Sequence, residues 1–104
     1  MAVLQITDDT FDGVVRDGIC IVDFYSTHCG PCRVLLPQLL RLEADMPFIN
    51  LVKVNTDDCL ALAQRFHIAA VPTIYLGKDG CLQEYYGELS YEGILQALGK
   101  LIYE

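Results

Sequence analysis

The chain has 104 residues, 53% hydrophobic and 20% charged, a composition that excludes a disordered chain and predicts one globular domain over 1–104. Its net charge is −7 and its seven lysines and arginines are scattered, so no basic stripe exists to follow a phosphate backbone, which argues against nucleic acid as a ligand. No apolar run approaches the roughly 20 residues that cross a bilayer, and Met1-Ala2-Val3-Leu4 lacks the basic segment and apolar stretch of a secretory signal.

In chain order, Val3–Thr7 reads as a short strand, and Thr7 or Asp8 is placed to cap a helix over about 8–17. Phe11, Val14 and Val15 lie on one face of that helix, Asp12 and Arg16 are spaced i,i+4 to pair, and Asp17-Gly18 ends it. Ile19-Cys20-Ile21-Val22-Asp23-Phe24-Tyr25 is almost continuously apolar and β-branched, the pattern of a strand covered on both faces. A helix follows over about 31–45, with Pro31 in the first turn, where a backbone N–H has no partner to lose. Pro37 lies inside it, and Leu35, Leu36, Leu39, Leu40 and Leu42 supply its buried side.

Phe48–Val54 is a second covered strand, and Asp57 or Asp58 caps a short helix over about 58–66. Thr73–Leu76 and Cys81–Tyr86 are strands joined by a tight turn at Lys78-Asp79-Gly80. Ser90 caps a last helix reaching Tyr103, with Ile94, Leu95, Leu98, Leu101 and Ile102 inward. The order β-α-β-α-β-α-β-β-α predicts an α/β fold. Early strands pair in parallel through helical crossovers and the last two form a hairpin, giving a mixed five-stranded sheet with four helices on its two faces.

The chemistry sits at Cys29-Gly30-Pro31-Cys32, where the second strand gives way to a helix. A thiol reacts as its thiolate, and the free N–H groups and positive dipole end of a helix N-terminus favour that anion. Cys29 lies just before the helix and is expected to be the more exposed and more acidic sulfur, hence the nucleophile. Cys32, one turn in, is expected to be buried and to act as the resolving thiol. Zinc coordination is the weaker reading, because four ligands are usual and Cys20, Cys59, Cys81 and His67 are dispersed. A purely structural disulfide is weaker still, since so short a loop constrains the unfolded chain little. Five cysteines with one close pair also fit a reducing, cytoplasmic setting better than a secreted disulfide scaffold. Of the other thiols, Cys20 reads as inert core, Cys59 as an idle surface thiol at a helix start and Cys81 as carrying no signal. His67 reads as a helix C-terminal or surface residue.

A Cys-x-x-Cys beside a βαβ pattern is a redox signal, and the rest of the chain agrees with it. Val22 through Cys32 resembles the active-site strand and loop of the thioredoxin family. Pro37 matches that family's helix-interior proline, Val71-Pro72-Thr73 its cis-proline loop, and Gly80 and Gly87 its later glycines. The similarity runs from Ile6-Thr7-Asp8 to the last helix. Two departures lie beside the dithiol: the family usually carries Trp where His28 stands, and Trp is common where Tyr25 stands. Ala69-Ala70 also replaces a basic or polar residue followed by Gly or Ser.

The resemblance implies a thioredoxin fold and a protein-disulfide reductase that cycles Cys29 and Cys32 between dithiol and disulfide. It implies no bound cofactor and no metal. Electrons would come from a separate reductase, a flavoprotein or a ferredoxin-dependent enzyme, and go to target proteins with disulfides; the protein is expected to act as a monomer away from membranes. Asp23, a carboxylate in an apolar strand, should have raised proton affinity, and the resemblance gives it the role of proton acceptor for Cys32. Lys53 matches a family lysine near that carboxylate, with an ordinary strand-end lysine as the alternative. Pro72 is implied to follow a cis peptide and to shape a groove with Gly30 and Pro31, where the Val71 backbone pairs with extended substrate. His28 either favours the Cys29 thiolate as a cation, making the protein more oxidising, or only replaces a flat contact residue. The remaining alternatives are an oxidase or isomerase of the same chemistry, and a non-catalytic binding module on the same surface.

Overall fold

The computed structural model describes residues 2–103. Its elements are β1 (Ala2–Gln5), α1 (Phe11–Val15), β2 (Ile19–Tyr25), α2 (Gly30–Asp45), β3 (Ile49–Asn55), α3 (Leu60–Arg65), β4 (Thr73–Lys78), β5 (Cys81–Tyr85) and α4 (Tyr91–Tyr103). The strands lie in the order β1-β3-β2-β4-β5. The first three are parallel, β4 runs antiparallel to β2, and β5 returns antiparallel to β4. This is the mixed sheet that the element order predicts.

Side-chain alternation divides the central strands between two cores. Cys20, Val22 and Phe24 of β2, with Val52 and Val54 of β3, face Phe11 and Val15 of α1 and Leu62 of α3. Ile21 of β2, with Ile49 and Leu51 of β3, faces Leu35, Leu39 and Leu42 of α2 and Ile94 and Leu98 of α4. Both faces are therefore covered, which is why β2 and β3 read as nearly unbroken apolar runs. Asp23 occupies the α2 side of β2, in line with Ile21.

Several expectations are corrected. Helix α1 is shorter than 8–17, because Thr7 and Thr10 spend their groups on a turn: the Thr7 N–H donates to Thr10 Oγ1 at 2.9 Å, and Thr10 N–H donates to Thr7 O at 3.2 Å. The Asp8 carboxylate instead accepts the Leu62 N–H of α3 at 3.0 Å, from 54 positions away. Neither Asp57 nor Asp58 is the N-cap of α3; Cys59 holds that position. Asp12 pairs with Arg65 at 2.9 Å and not with Arg16, which leans to Asp17 at 3.6 Å. Leu40 is exposed, whereas Leu35, Leu39 and Leu42 are buried. Cys59 is buried, with its thiol directed at Ile6 O at 3.7 Å, so it is not a surface residue.

The ends of other elements behave as their residues suggest. Ser90 Oγ accepts the Gly93 N–H at 3.1 Å and so caps α4. Asp79 (φ 51°) and Gly80 (φ 88°) make the two-residue turn of the β4–β5 hairpin. His67, at φ 52°, closes α3: its N–H donates to Gln64 O at 3.1 Å and the Ile68 N–H to Ala63 O at 2.9 Å.

The turn between β5 and α4 is held by Tyr85, whose hydroxyl donates to Glu88 O at 2.5 Å. A Cβ at Gly93 would lie 2.5 Å from that hydroxyl and 2.6 Å from Glu88 O. Gly93→Ala should therefore destabilise the protein by about 1–2 kcal/mol. Overpacking of about 1–3 kcal/mol exceeds the gain in helix propensity of about 1 kcal/mol. A fall in the urea midpoint at unchanged slope checks this; an unchanged midpoint contradicts it.

Candidate active site

The dithiol is built by the handover from β2 to α2. Cys29 is extended (φ −134°, ψ 104°) and occupies the N-cap of α2, where its Sγ accepts the Cys32 N–H at 3.2 Å. A sulfur in that position satisfies a helix N–H that otherwise lacks a partner, and the interaction strengthens when the sulfur carries charge. Cys29 and Cys32 are joined as a disulfide with Cα atoms 5.3 Å apart. The expected contrast in exposure is absent: Cys29 is 7% exposed and Cys32 is 6% exposed. What distinguishes them is setting. Cys29 holds the cap, and Cys32 lines a half-open cavity.

That cavity, of about 130 Å³, is bounded by Asp23, Tyr25, Ser26, Thr27, Cys32, Arg33, Leu36 and Lys53. Asp23 is 2% exposed and its Oδ1 has no hydrogen-bond partner. Burial pushes its carboxyl up from 3.8 to about 6, with the Lys53 charge pulling the other way. The raised carboxyl and Cys32 thus line the same cavity. Lys53 faces Asp23 across the β2–β3 register.

The remaining predicted residues lie outside that cavity. The Val71–Pro72 peptide is cis, and Pro72 shares an apolar surface groove with Pro31, Val34, Leu35, Gln38 and Leu89. Val71 is half-buried beside it, while His28 and Gly30 are exposed on either side of Cys29. A Cβ at Gly30 would meet no other atom within 4 Å, so this glycine leaves the space above the dithiol open.

Three contributors escape a reading by motif. Asp57 Oδ2 accepts the Thr27 N–H at 3.0 Å, and Asn55 Nδ2 donates to Thr27 Oγ1 at 3.1 Å, tying the loop before Cys29 to the end of β3. The Thr27 N–H holds the Asp57 carboxyl below the usual range, with His28 assisting. Tyr25 is the third: its ring lies 4.7 Å from Lys53 Nζ and its hydroxyl donates to Gln5 Oε1 at 2.8 Å. These partners are 20 to 30 positions apart, so no local pattern announces them.

The chain matches the thioredoxin family over residues 2–100. It is 37% identical over 75 residues to a thioredoxin of Chlamydia pneumoniae, covering 72% of this chain and 74% of that one. It is 36% identical over 81 residues to a thioredoxin of Staphylococcus saprophyticus, covering 77% and 78%. Among solved structures, it superposes on chloroplastic thioredoxin z with a TM-score of 0.88 at 27% identity, over 100% of this chain and 97% of that one. The oxidised mitochondrial thioredoxin 3 of Saccharomyces cerevisiae gives a TM-score of 0.84 at 27% identity, over 94% of each. Agreement at this level, in sequence and in backbone, means that the chain belongs to the thioredoxin family and is a thiol–disulfide oxidoreductase, a disulfide reductase that works through its Cys29–Cys32 pair.

Proposed function

We propose that Cys29 is the attacking thiolate and Cys32 the resolving thiol. The Cys29 sulfur attacks one sulfur of a substrate disulfide, forming a mixed disulfide and expelling the other substrate sulfur as a thiolate. Cys32 then loses its proton to Asp23, attacks the Cys29 sulfur and expels the second substrate thiolate. Two electrons have passed to the substrate and Cys29–Cys32 is left oxidised. The observation that carries this reading is the Cys32 N–H donated to Cys29 Sγ at the helix N-terminus. It stabilises negative charge on the first sulfur and not on the second. The cavity shared by Cys32 and Asp23 supplies the proton path, with room for a bridging water.

Substrate would lie in extended form along the cis-Pro72 loop, pairing with the Val71 backbone and resting on Pro31 beside Gly30. A separate reductase, flavoprotein or ferredoxin-dependent, would return two electrons and two protons, in a cytoplasmic setting. No helix among the described residues is long and apolar enough to cross a membrane.

His28 favours a second direction of flow, toward oxidation, and magnitudes decide against it. An exposed charge interaction contributes at most about 1 kcal/mol, or about 20 mV for a two-electron couple. As a general figure, about 150 mV separates thioredoxin-type reductants from the strongest oxidants with a Cys-x-x-Cys site. His28→Trp should therefore make the potential more reducing by roughly 10–20 mV. Equilibration of the wild type and this variant with glutathione tests both statements. A wild-type potential near that of the strong oxidants would overturn the reductive direction, and an unchanged potential in the variant would reduce His28 to a contact residue.

A further inference from the structure

Lys53 makes no ion pair with Asp23 within 4 Å among the described residues, although the two are register partners on adjacent strands. Its ammonium is held elsewhere. The Tyr25 ring lies 4.7 Å from Nζ, and the ring is fixed at its far end by the hydroxyl bond to Gln5 Oε1 at 2.8 Å. Gln5 closes the figure: its Nε2 donates to the backbone carbonyl of Lys53 at 3.3 Å, and Gln5 and Lys53 are partners across β1 and β3. One amide on the edge strand thus ties together the tip of Tyr25 and the backbone of Lys53. Tyr25 and Lys53 both line the cavity into which Asp23 is buried.

We propose that Gln5 and Tyr25 are positioning residues that hold the Lys53 ammonium in the wall of the Asp23 cavity, and so set how readily Asp23 takes the proton of Cys32. The proposal rests on the reading of Asp23 as proton acceptor. A free lysine on a half-buried strand would extend its ammonium toward water. The aromatic face offers it an electrostatic alternative beside the cavity, and the Gln5 amide keeps that face in place. The other groups around Asp23 do not substitute for this arrangement. The thiol of Cys32 and the cationic Arg33 come from α2, and Ile74, opposite Asp23 on β4, carries no charge. Asp58, beyond β3, acts on the Tyr25 hydroxyl, which the Asn55 side chain reaches as well as Gln5.

The test is to follow the Asp23 carboxyl through its titration by carbon NMR in the wild type, Gln5→Leu, Tyr25→Leu and Lys53→Met, alongside the pH profile of disulfide reduction. Gln5 is exposed, so its replacement leaves both cores intact. The Asp23 midpoint should rise by roughly half a pH unit in Gln5→Leu and Tyr25→Leu and at least as far in Lys53→Met. Adding Gln5→Leu to Lys53→Met should move it no further. The proposal is overturned if Lys53→Met raises the midpoint while Gln5→Leu and Tyr25→Leu do not, or if Gln5→Leu still raises it when Lys53 is gone. If the midpoints move as expected and the reduction profile does not follow, the positioning stands and the role of Asp23 as proton acceptor falls.

Discussion

Protein carrying Cys32→Ser should accumulate as a covalent adduct with its substrate through Cys29, while Cys29→Ser should form no adduct. Both variants should lose turnover by roughly 10³-fold or more, because each lacks one of two sulfurs that act as a unit. The asymmetry follows from the cap. Cys29 Sγ accepts a helix N–H, and in the proposed mechanism it is the sulfur on which charge is stabilised and the one that attacks first. Without Cys32 nothing nearby expels the bound substrate. Cys20 and Cys59 are buried, and Cys81 lies on the β4–β5 hairpin. Intact mass after incubation with a disulfide substrate reads the adduct, and peptide mapping places it. An adduct that forms on Cys32 in the Cys29→Ser protein would reverse the assignment. Unchanged partner capture by both variants, with no turnover in the wild type, would instead support a binding module.

Asp23→Asn should stabilise the fold at neutral and alkaline pH and slow disulfide reduction. The Asp23 carboxyl is pushed up to about 6 from an ordinary 3.8 by burial. Below about pH 4 the group is protonated whether the chain is folded or not, and ionisation adds no penalty. Between about pH 4 and pH 6 the unfolded chain has ionised while the folded chain still holds the proton, so stability falls as pH rises. Above about pH 6 that loss is complete at roughly 3 kcal/mol, from about two pH units at 1.36 kcal/mol each. An amide does not ionise, so the variant escapes this loss. Leaving part of its own polar group unpaired costs about 1–2 kcal/mol. The net gain at pH 8 is therefore about 1–2 kcal/mol, with no gain, or a small loss, at pH 4. Urea unfolding of both proteins across this range measures it, and a stability difference that does not change with pH would remove the titrating carboxylate from the account. Reduction at neutral pH should be slower by up to about 10²-fold, as for loss of a proton acceptor.

The architecture was largely legible because its determinants are local or periodic. Ile19–Tyr25 and the strand after Phe48 announce coverage on both faces, and the Cys-Gly-Pro-Cys stretch marks the strand-to-helix handover. Asp23 stood out as the one charge in an apolar strand, and it is the buried polar side chain of that core. What failed was non-local. Thr7 and Asp8 look like caps for the next helix, yet Asp8 serves α3, a segment 54 positions on. Cys59 beside two aspartates looks solvent-facing, but the turn after β1 folds over it. Leu40 looks like core by composition, whereas the covered stripe of α2 runs through Leu35, Leu39 and Leu42. The setting of Lys53 could not be read from its own neighbours, since the groups that fix it arrive from β1 and from the end of β2.

The most direct measurement is a redox titration of the wild-type protein, with alkylation under denaturing conditions and mass spectrometry to count and locate free thiols. The account predicts one two-electron transition in which Cys29 and Cys32 are lost together from the alkylated pool, with Cys20, Cys59 and Cys81 alkylated throughout. A pair that stays reduced under mild oxidants, or a transition that pairs either sulfur with a different cysteine, would contradict it.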